Sequence, residues 1–129
     1  MSTAYWCILV AALLPYVWYG AARAGAGRID NHDPRAGMVR LDEGRALRAN
    51  NSQYNSFEAF AAFAAAVLMA QAGGVDPARI SMLAIAFVVL RVLHGLFYLI
   101  NIHALRSLCW FAGFAVVVWL MAQAAMHVA

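Results

Sequence analysis

Charge is what this chain has least of. Only 12% of its 129 residues are charged and 65% are hydrophobic, against about 25% charged and roughly 45–50% apolar in an ordinary soluble domain. A water-soluble fold of this size has no interior large enough to hide that much apolar surface, so lipid is the expected solvent. The alternating segments of about ten residues that mark a membrane β-barrel are missing as well. Lysine is absent and arginine carries all the positive charge, with a net charge of +3. Cysteine is scarce: Cys7 and Cys109 are the only two. A disulfide needs Cα atoms about 6 Å apart, whereas the topology below sets these two toward opposite faces of a hydrocarbon core of about 30 Å. No intrachain bridge is expected, and both read as small packing residues. Internal repeats are absent, and the one biased stretch, AFAAFAAAV, suits close helix packing through small side chains.

What the chain does have is long apolar runs. Four of them, residues 4–22, about 46–72, about 78–102 and 105–128, each approach or exceed the roughly 20 residues a membrane helix needs. The first is followed by Gly20, Ala21 and Ala22 like a signal peptide. It lacks the basic start of one and no soluble domain follows, so a retained helix is expected. Pro15 predicts a kink that a bundle in lipid tolerates. Gly73 and Gly74 supply a left-handed helix end, and Asp76 with Pro77 an N-cap and first helical position. Short second and third connections make consecutive helices antiparallel neighbours. The fold class is therefore all-α: one integral membrane domain, residues 1–129, built as a four-helix up-down bundle.

The arginines orient it. Arg23, Arg28, Arg35, Arg40, Arg45 and Arg48 crowd the first connection or its edges, and Arg106 follows the third run, while both ends of the chain carry none. The positive-inside rule then places both termini outside the inner membrane and the loops at about 23–45 and after the third helix in the cytoplasm. Arg79 is a single dissent. The long first loop contains Asp33-Pro34 and Gly37 as turn elements and reads as a charged cytoplasmic cap. His32 with Asp30 and Asp33 has no established ligand spacing, so no metal is expected there; nor is a nucleic-acid partner. Trp6, Trp18, Tyr19, Trp110 and Trp119 read as interfacial belt residues, and Phe57, Phe60 and Phe63 as lipid-facing or interhelical packing.

Two polar stripes interrupt the apolar helices. Arg48, Asn51, Asn55 and Glu58 recur at steps of three and four on the second helix, and Arg91, His94, Tyr98 and Asn101 do so on the third. A charge at mid-helix costs about 2.5–3.5 kcal/mol on insertion scales, so Glu58 and Arg91 must face partners or water. One account is an ion pair between them that only fixes helix register. The surplus of donors in the same half, Arg106 included, favours a binding chamber instead. Several arginines, amides and one carboxylate suit a small anionic ligand bearing an amine. Glutathione has those groups, and a neighbouring guanidinium lowers the pKa of a thiol that otherwise sits near 8.5.

With these residues in view, the chain resembles the MAPEG family, the membrane-associated proteins in eicosanoid and glutathione metabolism. The resemblance rests on NSFEAFAAFAAAVLMA, with its Asn55-x-x-Glu58 pair, on RVLHGLFYLINIHALRS, and on DPR in the first loop. It implies a homotrimer that holds glutathione between neighbouring subunits toward the cytoplasmic face, with a lipophilic co-substrate entering from the bilayer. By position, Asn55 and Glu58 match the glutathione-binding pair, Arg91 and Tyr98 the polar residues of the third helix, and Arg106 the arginine that stabilises the thiolate. Four positions depart from the family's pattern: Asn51 replaces an arginine, Ala59 a tyrosine, Ala61 a proline and His94 a tyrosine. Arg48 is the expected stand-in at the first of these. His94 is either a hydrogen-bonding substitute or proton acceptor near the thiol, or a buried neutral histidine satisfied by its surroundings.

Two functions fit. The first is a glutathione-dependent membrane transferase or peroxidase acting on a lipophilic electrophile, with Arg106 at the thiolate and Arg48, Asn51, Asn55, Glu58, Arg91, His94 and Tyr98 around the tripeptide. The second is a non-catalytic membrane trimer that binds lipid or a partner, its stripes serving only register. A pore is disfavoured because the outer halves of the second and fourth helices are apolar apart from Gln71 and Gln123.

Overall fold

The computed structural model describes residues 1–129 and is helical throughout. Its elements are α1 (Ser2–Gly25), α2 (Pro34–Val39), α3 (Gly44–Ala72), α4 (Pro77–Leu99) and α5 (His103–Val128). There are thus five helices where four are expected. The additional one, α2, lies inside the first loop, where Asp33 accepts a hydrogen bond from the Ala36 backbone at 3.2 Å and Pro34 occupies the first turn. Asp33-Pro34 is therefore a helix start rather than a turn. Met38 of α2 is buried against Ala22 and Ala49, which seats the short helix on the ends of α1 and α3.

Capping chemistry sets the other boundaries as it should. The Asp76 carboxylate accepts from Ala78 and Arg79 at the start of α4. At the end of α3, the Val75 amide reaches the Ala70 carbonyl at 3.0 Å and the Gly74 amide reaches Gln71. That pair of bonds is the Schellman closure, and Gly74 takes the left-handed conformation it requires, with φ 78°. Between α4 and α5 the left-handed residue is Asn101, φ 62°, which an asparagine tolerates better than most residues. Asn101 is exposed and spends its backbone on this turn, so it leaves the polar stripe of its helix. α1 runs unbroken through the buried Pro15.

Side-chain contacts fix the helix directions. Tyr5 near the start of α1 hydrogen-bonds Gln71 near the end of α3. Arg79 at the start of α4 reaches Gln123 near the end of α5. At the opposite end, Arg48 of α3 donates to the carbonyl of Leu99, the last residue of α4. The four long helices are thus antiparallel in sequence order, and the two chain ends share one face of the molecule, away from the arginine-rich loop. Cys7 and Cys109 are both free and buried, Cys7 toward the first face and Cys109 toward the loop.

Lipid suits the surface. Trp6, Leu13, Met82, Leu108 and Phe111 are each more than half exposed, an apolar skin with no place in water. Three helices, α1, α4 and α5, are long and apolar enough to cross a membrane. α3 is as long but falls short of that apolarity, because its first half carries Arg45, Arg48, Asn50, Asn51, Gln53, Asn55 and Glu58.

The interior is packed by two different devices. Phe63 of α3 stacks on Phe87 of α4 with centroids 4.0 Å apart and planes within 8° of parallel, beside Val67, Ile80 and Leu120. Nearer the loop end, Trp18 of α1 lies against Gly95 of α4 so closely that a Cβ on residue 95 would overlap the indole ring. Trp18 is 5% exposed, so it belongs to the core and not to an interfacial belt. Its ring has nowhere to go. Gly95→Ala is expected to force α1 and α4 apart at a cost of about 1–3 kcal/mol, read as a lowered midpoint in thermal unfolding of the detergent-extracted protein. Gly113→Ala, whose Cβ would meet its neighbours no closer than 3.8 Å, is the tolerated control.

Candidate functional site

The polar stripes of α3 and α4 meet, and α5 completes the enclosure. The pivot is Arg91. It is 3% exposed, and its Nη2 donates to Asn55 Oδ1 at 2.8 Å and to Ser56 Oγ at 3.4 Å. Glu58, one turn on from Asn55, is exposed and takes no part in these bonds. The register-fixing ion pair between Glu58 and Arg91 is therefore replaced by charge-to-neutral hydrogen bonds, each of a kind worth about 1.5–3 kcal/mol. The carboxylate is left free to meet something else.

Two hollows open from this point. One, of about 180 Å³, has Asn55, Glu58 and Arg91 on one side and a largely apolar wall from α3, α4 and α5 on the other. The second, about 210 Å³, is lined by Asn55, His94, Tyr98, Arg106, Ser107, Trp110 and Phe111. They share Asn55 and Trp110. Arg106 is half-buried and its guanidinium carbon sits 4.4 Å from the centre of the Tyr98 ring, a cation–π contact that holds the cation at the mouth. Tyr98 in turn meets His94 edge-on at 5.6 Å. His94 is 2% exposed and its Nδ1 has no hydrogen-bond partner within the protein, so the histidine is buried without being satisfied.

Of the eight residues singled out in the sequence, six thus line one cleft: Asn55, Glu58, Arg91, His94, Tyr98 and Arg106. The other two do not. Arg48 spends Nη2 on the Leu99 carbonyl at 3.3 Å, where a cation also complements the negative end of α4. Asn51 and Arg48 line neither hollow.

Of the α5 wall, sequence reasoning found only Arg106. Arg106, Trp110, Gly113 and Val117 recur at steps of four, three and four, the same periodicity that reveals the other stripes. Three of the four are uncharged, and a search for polar residues passes over them. Trp110 stacks on Phe114 at 5.4 Å and stands edge-on to Phe111 at 5.0 Å, so it is a cleft residue rather than part of a belt. Ser56 was hidden by sitting one residue beside the stripe. A larger hollow of about 480 Å³, lined by residues such as Tyr16, Arg35 and Tyr54, lies on a different face of α3, away from Arg91 and Arg106.

The cleft thus combines a buried guanidinium, a second one at its rim, an amide and an unpaired carboxylate, cut into an all-helical apolar body. The MAPEG family model matches residues 3–126. The chain belongs to the MAPEG family. No curated protein and no solved structure matches it. Membership makes this a membrane protein of the kind that serves glutathione and eicosanoid metabolism, and MAPEG proteins generally use glutathione. The match spans nearly the whole chain, so the cleft and every residue named in it fall within the MAPEG region.

Proposed function

We propose that this MAPEG protein is a glutathione-dependent membrane transferase or peroxidase acting on a lipophilic electrophile. The observation that carries the reading is the meeting of the two hollows at Asn55, with Arg91 fixed on one side and Arg106 on the other. The γ-glutamyl end of glutathione presents an ammonium and a carboxylate, which suit Glu58 and a guanidinium. Its amides suit Asn55. The thiol falls to Arg106, whose charge favours the thiolate over the thiol. His94 and Tyr98 line the same hollow and complete its wall. The electrophile arrives from lipid, where the apolar helix faces lie.

The assembly that goes with this reading is a homotrimer of single-domain subunits, residues 1–129, each crossing the inner membrane four times with both ends outside. Glutathione would lie between neighbouring subunits on the cytoplasmic side. α3 then crosses as well, its polar half shielded at the subunit boundary. The exposure of Glu58 on an isolated subunit supports this, since a carboxylate facing bare lipid is costly.

The non-catalytic reading has one observation in its favour: Arg91 bonds α3 to α4 and so does fix their register. Glu58→Gln separates the two. The substitution keeps the shape and removes the charge. On the glutathione reading, affinity for glutathione falls about tenfold or more, the loss of one charge-assisted hydrogen bond, while the oligomer elutes unchanged. On the register reading, the oligomer dissociates and wild-type protein binds no glutathione at all.

A further inference from the structure

Sealed polar atoms without partners gather in one layer of the bundle. Two interhelical bonds bracket it: Arg48 of α3 reaches the Leu99 carbonyl of α4, and about two turns deeper Arg91 of α4 reaches Ser56 of α3. The antiparallel register between these bonds sets Ser52 level with Gly95. Trp18 of α1 enters at that level, and the indole edge that adjoins Nε1, with Cε2 and Cζ2, is the one lying on Gly95. His94 is the neighbouring residue of α4. In this layer Trp18 Nε1, Ser52 Oγ and His94 Nδ1 are buried and have no hydrogen-bond partner in the protein. Their residues are 5%, 0% and 2% exposed. Arg48 Nε, one turn nearer the loop, is sealed and unpaired as well.

Buried polar atoms are paired as a rule, with protein or with ordered water, and lipid makes the exception costly. Donor and acceptor chemistry then narrows the arrangement. The indole Nε1–H and the guanidinium Nε–H can only donate. A hydroxyl does both, and Nδ1 of a neutral imidazole accepts or donates according to tautomer. With two obligate donors in the layer, the accepting ends fall to Ser52 and His94. A water that accepts from Trp18 has two hydrogens left, one for Ser52 Oγ and one for His94 Nδ1. We propose that Trp18, Ser52 and His94 hold an internal water, through which Trp18 and Ser52 act as positioning residues that keep His94 Nδ1 as an acceptor and its proton on Nε2.

The consequence reaches the cleft. Nδ1 is the sealed nitrogen, whereas the ring borders the second hollow beside Tyr98 and Arg106. With the proton on Nε2, the unsealed edge is a hydrogen-bond donor, which suits an anionic ligand. A tyrosine at this position would bring its donor with it; a histidine needs a neighbour to assign the proton. The donor's use rests on the glutathione reading. The water and the tautomer do not.

Three measurements on the full-length protein test this. A structure at a resolution that shows ordered water is expected to place one within about 2.7–3.2 Å of Trp18 Nε1, Ser52 Oγ and His94 Nδ1; protein atoms packed together there, with no water between them, overturn the site. Nitrogen-15 NMR of histidine-labelled protein in bilayers, without glutathione, reads the tautomer, with His94→Gln identifying the signal among the four histidines. The proton-bearing nitrogen is expected to be the one bonded to Cδ2, and Trp18→Phe and Ser52→Ala are each expected to mix the tautomers. A proton on Nδ1 in wild type, or signals unmoved in both variants, overturns the proposal. Last, both variants are expected to raise KM for glutathione about tenfold, the loss of one hydrogen bond, with kcat within about twofold. Unchanged KM in variants whose tautomer has shifted overturns the positioning role. A wild type that binds no glutathione removes the glutathione reading instead, and the water and the tautomer are then decided by the first two measurements.

Discussion

Replacing Arg106 by alanine is expected to lower the rate of conjugation at pH 7 by on the order of 10²-fold while leaving the protein folded. An unperturbed thiol with a pKa near 8.5 is only about 3% thiolate at that pH. A guanidinium that lowers the pKa by two units raises the fraction to roughly three quarters, and the same cation stabilises charge as it shifts during attack, which is worth a comparable factor. The side chain is well placed for both effects. Tyr98 holds it at 4.4 Å, at the rim of the hollow that begins at Asn55. The pH profile distinguishes this role from a structural one. The alanine variant should recover about tenfold per pH unit up to the free thiol's pKa, whereas wild type should change little over the same range. Arg106→Lys should fall between them, because an ammonium keeps the charge but loses the planar face that stacks on Tyr98. A variant with a wild-type rate and profile would remove Arg106 from the chemistry.

Arg91→Met is the second large effect, and it is larger for binding than for stability. Arg91 is buried and donates to two neutral groups, Asn55 and Ser56. An unbranched apolar side chain of similar volume leaves no opposite charge stranded, since Glu58 is exposed and outside those bonds. Asn55 and the buried Ser56 nevertheless lose their donor, which costs about 1–3 kcal/mol for each acceptor left unpaired. The fold should persist with a lowered thermal midpoint. Glutathione affinity should drop at least 100-fold, because a forked carboxylate contact and the orientation of Asn55 are lost together. If register were the only purpose of the polar stripes, the midpoint would fall in the same way and there would be no ligand to lose.

Much of this was legible in the chain because lipid imposes strict rules. Four long apolar runs, the closure at Gly74 and the cap at Asp76 all follow from local chemistry that tertiary context does not override. The same reasoning failed one loop earlier. Asp33-Pro34 carries the same cap and first-turn signature as Asp76-Pro77, but a turn was expected because no apolar run follows it. The structure shows that a single apolar residue, Met38, is enough to dock a six-residue helix. The polar first half of α3 lowers its hydropathy, and for that reason it stands apart from α1, α4 and α5.

The cleft was half visible. Helical spacing singled out Asn55, Glu58, Arg91, His94 and Tyr98, and the resemblance added Arg106; the structure brings these six together. Spacing also assigned Arg48 by proximity along α3, where the decisive fact is a partner 51 residues away, the Leu99 carbonyl. Long side chains reach over a full turn, and sequence spacing does not say which way they reach. The apolar wall from Ala59, Ala62 and Gly113 left no mark because a hollow is made by what side chains omit. Trp18 looked like a belt residue for a similar reason: only the glycine opposite it, Gly95, shows that it is core.

Calorimetric titration of glutathione into the wild-type protein, extracted in detergent, bears most directly on the cleft between α3, α4 and α5. The account predicts a saturable exothermic isotherm that is weakened at least 100-fold by Arg91→Met and left nearly unchanged by Arg48→Ala, a position that lines neither hollow. A wild-type protein that takes up no glutathione, or whose binding depends on Arg48 and is indifferent to Arg91, would contradict it.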